Sequence, residues 1–464
     1  MSNNHVHNEF CGHLNKLNEY SEIPKLIEYL KTTAVNYKME KEHSEWFLKC
    51  AEWVEKKFNK QLNNKKNNFF NKKKKIIIIG RGTAGSQAAA HVVKNMTDCE
   101  IEWHFDPNTS PQAVGEGSTT ELPRNLYENL SFRHEDLKKI DGSFKTGIYK
   151  KNWGANGKEF THGFIPPFSS YHFNAIGLQN YIFEKLKSKV KVLEINHENS
   201  KDLDADHILD CSGRPNSYEH HKISPYIPVN SVYVTQCYWD YAKFDYTLTI
   251  ARPYGWIFGI PLQNRCSIGY LFNKNINSLE EIKEDVKNIF TEYNLTPSDT
   301  TNHFSFESYT RKQNFSDNIS YSGNASFFLE PLEATSIGVM DRINRLSVSL
   351  WKNQIDLNQA NRAYEDFVKE TEAIIMLHYY SGSIFQTDFW KYAKELGSQC
   401  IREHFGNEKF KNIIQYCLSQ ENEWGNLTQD QRKSLHYATW GTPSFVQNIY
   451  GLDIFQRLSN LKDL

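Results

Sequence analysis

No apolar run in this sequence approaches the roughly 18 residues that a membrane-spanning helix requires. The N-terminus carries no signal-peptide pattern, so neither a span nor a secretory leader is expected. Charge of one sign is missing as well. Lys and Arg number 54 against 55 Asp and Glu, a net charge of -1, which leaves no electrostatic footprint for nucleic acid. The eight cysteines include no C-x-x-C pair and read as reduced thiols of a cytoplasmic protein. His5, His7, Cys11 and His13 have no second ligand pair to complete a metal site. They read as part of a low-complexity tail, and no metal is expected.

Length and aromatic residues are what the chain has in quantity. At 464 residues it exceeds one ordinary domain, and roughly two to three lobes are expected. Aromatics make up 14% of it; most belong in cores, and some are suited to an apolar pocket. Residues 1–60 read as a helical extension. Its Trp46, Phe47, Cys50, Val54 and Phe58 recur at three- and four-residue spacing, an amphipathic face that must dock on something. Residues 61–75 form a polar linker rich in Asn and Lys. Residues 76–342 read as an α/β core, and residues 343–464 as a mainly helical region whose clearest helix runs from Ala360 to Tyr379.

The most informative stretch follows the linker. Ile76 to Ile79 is a β-branched strand, and it leads through Gly80-Arg81-Gly82-Thr83-Ala84-Gly85 into a helix-compatible segment, Ser86 to Lys94. Strand, glycine turn and helix in that order are the context of a dinucleotide-binding fingerprint. Gly80 suits the tight turn, Gly82 suits backbone approach to a pyrophosphate, and Gly85 suits close packing of the helix on the strand. The pyrophosphate then meets the positive end of the helix. A second strand, Ile101 to Phe105, ends at Asp106, about 20 residues past Gly85, where a ribose-binding acid belongs. Read alone, the fingerprint suits NAD as readily as FAD.

Further along lie a Gly-containing loop, Val114-Gly115-Glu116-Gly117-Ser118-Thr119, and a strand, His207 to Leu209, that ends in Asp210-Cys211-Ser212-Gly213-Arg214. Between them Ser170 to Asn174 leads into a helix from Ala175 to Leu186. The β-like alternation from Val232 to Phe272 predicts an antiparallel sheet layered on the nucleotide domain. Cys211 reads as a packed thiol and His172 as a structural histidine at a helix start.

Five segments, in order, resemble the flavin-dependent halogenases of the tryptophan-halogenase type. The glycine motif from Gly80 to Gly85 is one, and Val114 to Thr119 is similar to that family's V-G-E-x-[ST] loop. Gly142-Ser143-Phe144-Lys145-Thr146-Gly147-Ile148 resembles the segment with the catalytic lysine. Gly255 to Leu262 resembles the W-x-W-x-I-P motif, and Phe328 to Ile337 resembles the P-L-E-S-T-G-I segment. The resemblance covers residues 75 to about 400 and leaves the extension of about 70 residues outside the family core.

The resemblance implies an α/β fold: an FAD-binding, Rossmann-like core of the two-dinucleotide type, an antiparallel sheet layer and a mostly helical C-terminal region. It implies reduced FAD supplied by a separate flavin reductase. With oxygen and chloride, bromide or iodide, the reduced FAD would yield hypohalous acid, confined until it reaches a small, electron-rich aromatic substrate. Lys145 would hydrogen-bond the hypohalous acid or form a haloamine, and Glu333 would orient it and accept the ring proton. Gly80, Gly82, Thr83, Ala84, Gly85, Asp106, Gly115, Gly117 and Ser118 would line the FAD. Asn324 would join them, replacing a frequent aspartate with a side chain that keeps an acceptor and adds a donor. Thr335 and Ser336 would offer backbone N–H groups to the halide.

Two positions depart from the family pattern: Ser336 stands for Gly, and Phe258 for the second Trp. Each residue also has a plainer reading. Lys145 would be a surface lysine, Glu333 a helix-start glutamate after Pro331, and Trp256, Phe258 and Ile260 the alternation of a half-buried strand. The competing functions are an FAD-dependent aromatic hydroxylase and a non-catalytic flavin-binding partner module. The number of subunits, including a homo-oligomer, stays open.

Overall fold

The computed structural model describes residues 31, 48–52, 54–55, 73–109, 116–164, 168–197, 199–419 and 436–461. They fall into two compact units, Met1–Lys73 and Lys74–Leu464. In the first unit the described residues from 48 to 55 are helical. Ala51 and Val54 are buried there, and Lys31 pairs with Glu55 at 2.6 Å. Trp46, Phe47 and Phe58 of the expected face, and the early His and Cys residues, lie outside the described residues.

In the second unit, β1 (Lys75–Ile79) is the centre of a five-stranded sheet. β2 (Glu100–Phe105) and β7 (Lys191–Glu194) extend it on one side, β8 (His207–Asp210) and β16 (Ile319–Tyr321) on the other, all parallel. A strand covered on both faces has no polar side to show, and Ile76 to Ile79 are all buried. Lys75 opens this strand and pairs with Glu102, so the linker ends before it. Helix α1 (Thr83–Asn95) buries Gly85 to Val92 and packs against α3 (Ala175–Leu186) and α5 (Thr335–Trp351). α3 has the expected bounds because Asn174 caps it, its side chain accepting from Gly177 N at 2.9 Å.

A second sheet of seven strands runs β14 (Thr296–Ser305), β10 (Ser231–Tyr238), β13 (Arg265–Phe272), β12 (Gly255–Pro261), β11 (Thr247–Arg252), β4 (Gly147–Lys151) and β5 (Phe160–Gly163). It is antiparallel except where β11 meets β4. The expected 232–272 layer is therefore its middle; the strands from 147 and 160 that complete it are the ones that reach the site. Lys145 ends β3 (Ser143–Lys145), which pairs only with β6 (Ser170–His172).

The helical region begins at Thr335, inside the span assigned to the α/β core, because α5 runs unbroken through residue 342. α6 (Leu357–Ser381) is longer than Ala360–Tyr379. The reciprocal cap of Asp356 and Gln359 adds a turn that apolar periodicity does not mark. α7 (Asp388–Phe405) packs along α6, and α9 (Thr442–Gly451) packs on β5; α8 (Glu408–Ser419) lies between them in sequence. No helix among the described residues is long and apolar enough to cross a membrane.

Candidate active site

The glycine turn is built as a cradle. Gly80 has φ +96°, a conformation glycine adopts freely, and a Cβ there would lie 2.3 Å from the carbonyl oxygen of Cys211. A Cβ on Gly85 would meet the Gly80 carbonyl at 2.1 Å, so only glycine lets α1 sit this close to β1. Gly82 is different. It is the N-cap of α1, no side chain caps that end, and a Cβ would meet nothing within 4 Å. The first N–H groups of α1 thus have no side-chain cap among the described residues, the arrangement that receives a phosphate. Thr83 and Ala84 begin the helix; Gln179 donates to Thr83 Oγ1 at 3.1 Å. Asn324 belongs to the 323–325 turn that packs against α1, and its carbonyl accepts from Tyr309 at 2.6 Å. Asp106 is less available than expected. Its carboxylate caps its own turn, accepting from Asn108 N at 2.8 Å and from Thr109 Oγ1 at 3.3 Å. Cys211 is a buried thiol under the turn.

The second loop is described from Glu116; Gly115 lies outside the described residues. Glu116 is buried and held by Arg265 of β13 at 2.6 and 3.0 Å. Gly117 sits near Ile260 of β12 and Ala334, so three of the sequence motifs converge at this point. The hydroxyl of Ser118 is committed inward, 2.6 Å from the Tyr171 carbonyl and 2.7 Å from Ser170 Oγ. Its carbonyl accepts from Lys145 Nζ at 2.9 Å. His172 is fully buried, bonded to Thr247 at 2.8 Å, and its pKa is held well below the usual value by burial and by the charge of Lys145.

Lys145 is not a surface lysine: it is 1% exposed. Burial brings its pKa down to about 8; Glu333 pulls it up and Lys150 pushes it further down. Glu333 is also buried, at the centre of a polar cluster. One carboxylate oxygen lies 2.5 Å from Lys150 Nζ and 3.4 Å from His378 Nε2; the other lies 2.8 Å from His162 Nδ1 and accepts from Trp440 Nε1 at 3.2 Å. Burial alone would raise the Glu333 pKa, but the charges of Lys150 and His162 outweigh it and hold the carboxyl well below the usual range. No hydrogen bond or ion pair joins Lys145 to Glu333 directly; they are coupled through charge. Lys150, His162, His378 and Trp440 were not singled out from the sequence.

Glu333 and Ala334 both adopt left-handed backbone, φ +65° and +55°, at about 1 to 2 kcal/mol each for residues other than glycine. This double reversal turns the chain abruptly into α5, whose first N–H groups no side chain caps. Thr335 is fully buried and its hydroxyl has no hydrogen-bond partner among the described residues; Ser336 is half-buried in the first turn of the helix.

Solved structures of halogenases share this architecture. That of tryptophan 6-halogenase SttH from Streptomyces toxytricini superimposes with a TM-score of 0.67 at 17% identity, over 84% of this chain and 96% of that one. Xcc4156, a flavin-dependent halogenase from Xanthomonas campestris, gives 0.65 at 17% identity, over 84% and 94%. In sequence, tryptophan 6-halogenase ThaL from Streptomyces albogriseolus is 22% identical over 418 residues, 68% of this chain and 78% of ThaL. A family profile described as tryptophan halogenase matches residues 75–191 and 179–404. The chain belongs to the tryptophan halogenase family.

It is accordingly an FAD-dependent halogenase, with a halide as co-substrate. The open space at Gly82, the uncapped end of α1 and the clear surroundings of Gly213 (φ +109°) fit a dinucleotide laid across the carboxyl ends of the parallel strands. The halogenase keeps bulk where the family pattern has its second tryptophan: the Phe258 ring lies directly over Gly269 of β13. Trp256 is buried, its indole N–H donating to Tyr379 at 2.9 Å, and Tyr379 donates to Glu330 at 2.6 Å. Glu330 is fully buried, and burial pushes its pKa up to about 8.

Proposed function

We propose that this enzyme delivers hypohalous acid to Lys145 and halogenates an electron-rich aromatic ring, an indole of the tryptophan class, with Glu333 as the carboxylate that receives the ring proton. The observation that carries the reading is the burial of Lys145 and Glu333 in one charge-coupled cluster. An amine with a pKa of about 8 can both hydrogen-bond an oxidant and bind its halogen near neutral pH.

Reduced FAD would supply the two electrons that, with oxygen, turn a halide into hypohalous acid. The chain's residues would do the rest. Gly80, Gly82 and Gly85, with the end of α1, would seat the pyrophosphate, while Gly117, Ala334 and Ile260 would close the floor of the flavin site. The N–H groups of Thr335 and Ser336 would bind the halide. Ser336 serves as well as glycine there because it lies inside the helical turn and needs no left-handed backbone. Lys145 Nζ would hold the hypohalous acid away from the flavin and present the halogen to the ring.

Aromatic surroundings support an aromatic substrate. Trp440 and His162 meet edge-on with centroids 5.5 Å apart, and the Lys145 ammonium lies 5.7 Å from the Phe164 ring centroid. Relatives named tryptophan 6-halogenase and tryptophan 7-halogenase support the indole class. A separate reductase would supply the reduced flavin. Bromide and iodide, easier to oxidise, should outperform chloride.

The test is halogenation of small indoles and phenols by purified protein with FAD, an added reductase and each halide, read by mass spectrometry. Lys145→Ala should bind FAD as the parent does and lose at least about 100-fold in product, the usual scale for a positioned acid–base group. Undiminished halogenation by that variant, or a hydroxylated product made without halide, would overturn the reading. Chloride as the clear favourite would remove the halide preference.

A further inference from the structure

Two lysines, not one, are buried beside the carboxylate of Glu333. Alternation in β4 turns Ile148 and Lys150 inward, while Lys151 is partly exposed and pairs with Glu159 and Glu292. Position 150 is thus one where a strand ordinarily places an apolar side chain, and an ammonium there is costly unless its donors are met.

They are met by charge as well as by hydrogen bonds. An ammonium has three donors; Lys150 Nζ bonds to His378 Nε2 at 2.6 Å and to Asn448 Oδ1 of α9, and forms an ion pair with Glu333 Oε1 at 2.5 Å. The imidazole of His378 suits this role. Its Nδ1 lies 3.0 Å from the Ile374 carbonyl and donates to it, which leaves Nε2 as the acceptor. Glu333 Oε2 is held in turn by His162 and Trp440, while its Oε1 has the Lys150 ion pair and no hydrogen-bond partner among the described residues. Lys145, by contrast, has a single hydrogen-bond acceptor among the described residues, the Ser118 carbonyl.

The charged and titratable groups here are few. They are Lys145 on β3, Lys150 on β4, His162 on β5, His172 on β6 facing Lys145, Glu333 before α5, and His378 on α6. Burial and Lys150 bring His378 down to about 4, so it stays neutral near pH 7. One carboxylate therefore serves two lysines, and the geometry gives it to Lys150.

We propose that Lys150 is a positioning residue of the reaction: as the ammonium ion-paired with Glu333 it neutralises and fixes that carboxylate, leaving Lys145 as the amine that takes the halogen. The proposal rests on the function proposed above, in which hypohalous acid reaches Lys145. The amine nitrogen attacks the halogen, the N–X bond forms as the O–X bond breaks, and the departing hydroxide takes an N–H proton and leaves as water. A chain with an apolar residue at 150 would leave Glu333 to pair with Lys145, whose lone pair would then be protonated.

The test is a pH titration of the lysine ε-carbons by NMR in the full chain saturated with oxidised FAD, assigned by loss of single signals in Lys145→Arg and Lys150→Arg. In the parent protein Lys145 should titrate near pH 8, and Lys150 only at higher pH. In Lys150→Met the Lys145 midpoint should rise by about one to three pH units, the effect of an opposite charge a few ångströms away. The pH limb of halogenation should move with it. An unmoved Lys145 midpoint in Lys150→Met, or a parent Lys150 that titrates below Lys145, would overturn the proposal; the second measurement needs no altered Lys150 to fold. Failure of the underlying function reads differently, since Lys145→Ala would then halogenate in full whatever the titrations show.

Discussion

Glu330 and Glu333 are three residues apart on one turn, and their surroundings drive them in opposite directions. Glu330 has no cationic partner among the described residues. Burial raises its pKa to about 8, with Tyr379 and Trp256 offsetting only part of that. Glu333 has Lys150, His162 and His378 around it and stays ionised. A carboxyl whose folded pKa lies above its unfolded 4.5 adds stability that is complete below that value and is lost as pH rises toward 8. The unfolding free energy from urea titrations should therefore fall between those two pH values, by up to about 1.4 kcal/mol per pH unit. In Glu330→Gln, which keeps an acceptor for Tyr379, this component of the fall should vanish; an unchanged profile would contradict the assignment. Only motif position separates the two glutamates in the sequence. What separates them chemically arrives from β4, β5 and α6, which no local pattern reports. The same limit hid Lys150: beside Lys151 it reads as half of a charged pair, and only strand pairing shows that one of the two points inward.

The elements nearest the cofactor were the most legible, since their chemistry is local. A run of four isoleucines into a glycine turn fixes β1, the turn and α1 with little help from the rest of the chain. The ends of α6 and the reach of the second sheet were less legible, because caps and pairing partners lie outside the apolar periodicity. The strand–turn–helix unit carries a prediction of its own. A Cβ at residue 82 meets no described residue within 4 Å, so Gly82→Val should fold, losing about 1 kcal/mol for a poorer helix cap. In the parent, FAD at 100 times its Kd should stabilise by about 2.7 kcal/mol. Thermal melts with and without FAD should show that gain abolished in the variant; a retained gain would mean that the dinucleotide lies elsewhere.

Across the whole molecule the work is divided. Residues near the parallel sheet supply the cradle, while the cluster around Glu333 draws on the second sheet, α6 and the final helices. Asn448 is fully buried at the far end of that arrangement. Asn448→Leu should leave one Lys150 donor unmet, at about 1 to 3 kcal/mol of stability, and should lower halogenation while the FAD affinity holds. Flavin fluorescence titration beside turnover would check this; weaker FAD binding in the variant would contradict the division.

That division also sets an order of events during synthesis. Glu333 leaves the ribosome well before Trp440 and Asn448, and at about 5 to 20 residues per second the interval is on the order of ten seconds. In that interval the flavin cradle is already translated, but Trp440, which helps orient Glu333, and Asn448, which helps hold Lys150, are not. A newborn chain is thus equipped to hold a flavin before it is equipped to aim an oxidant.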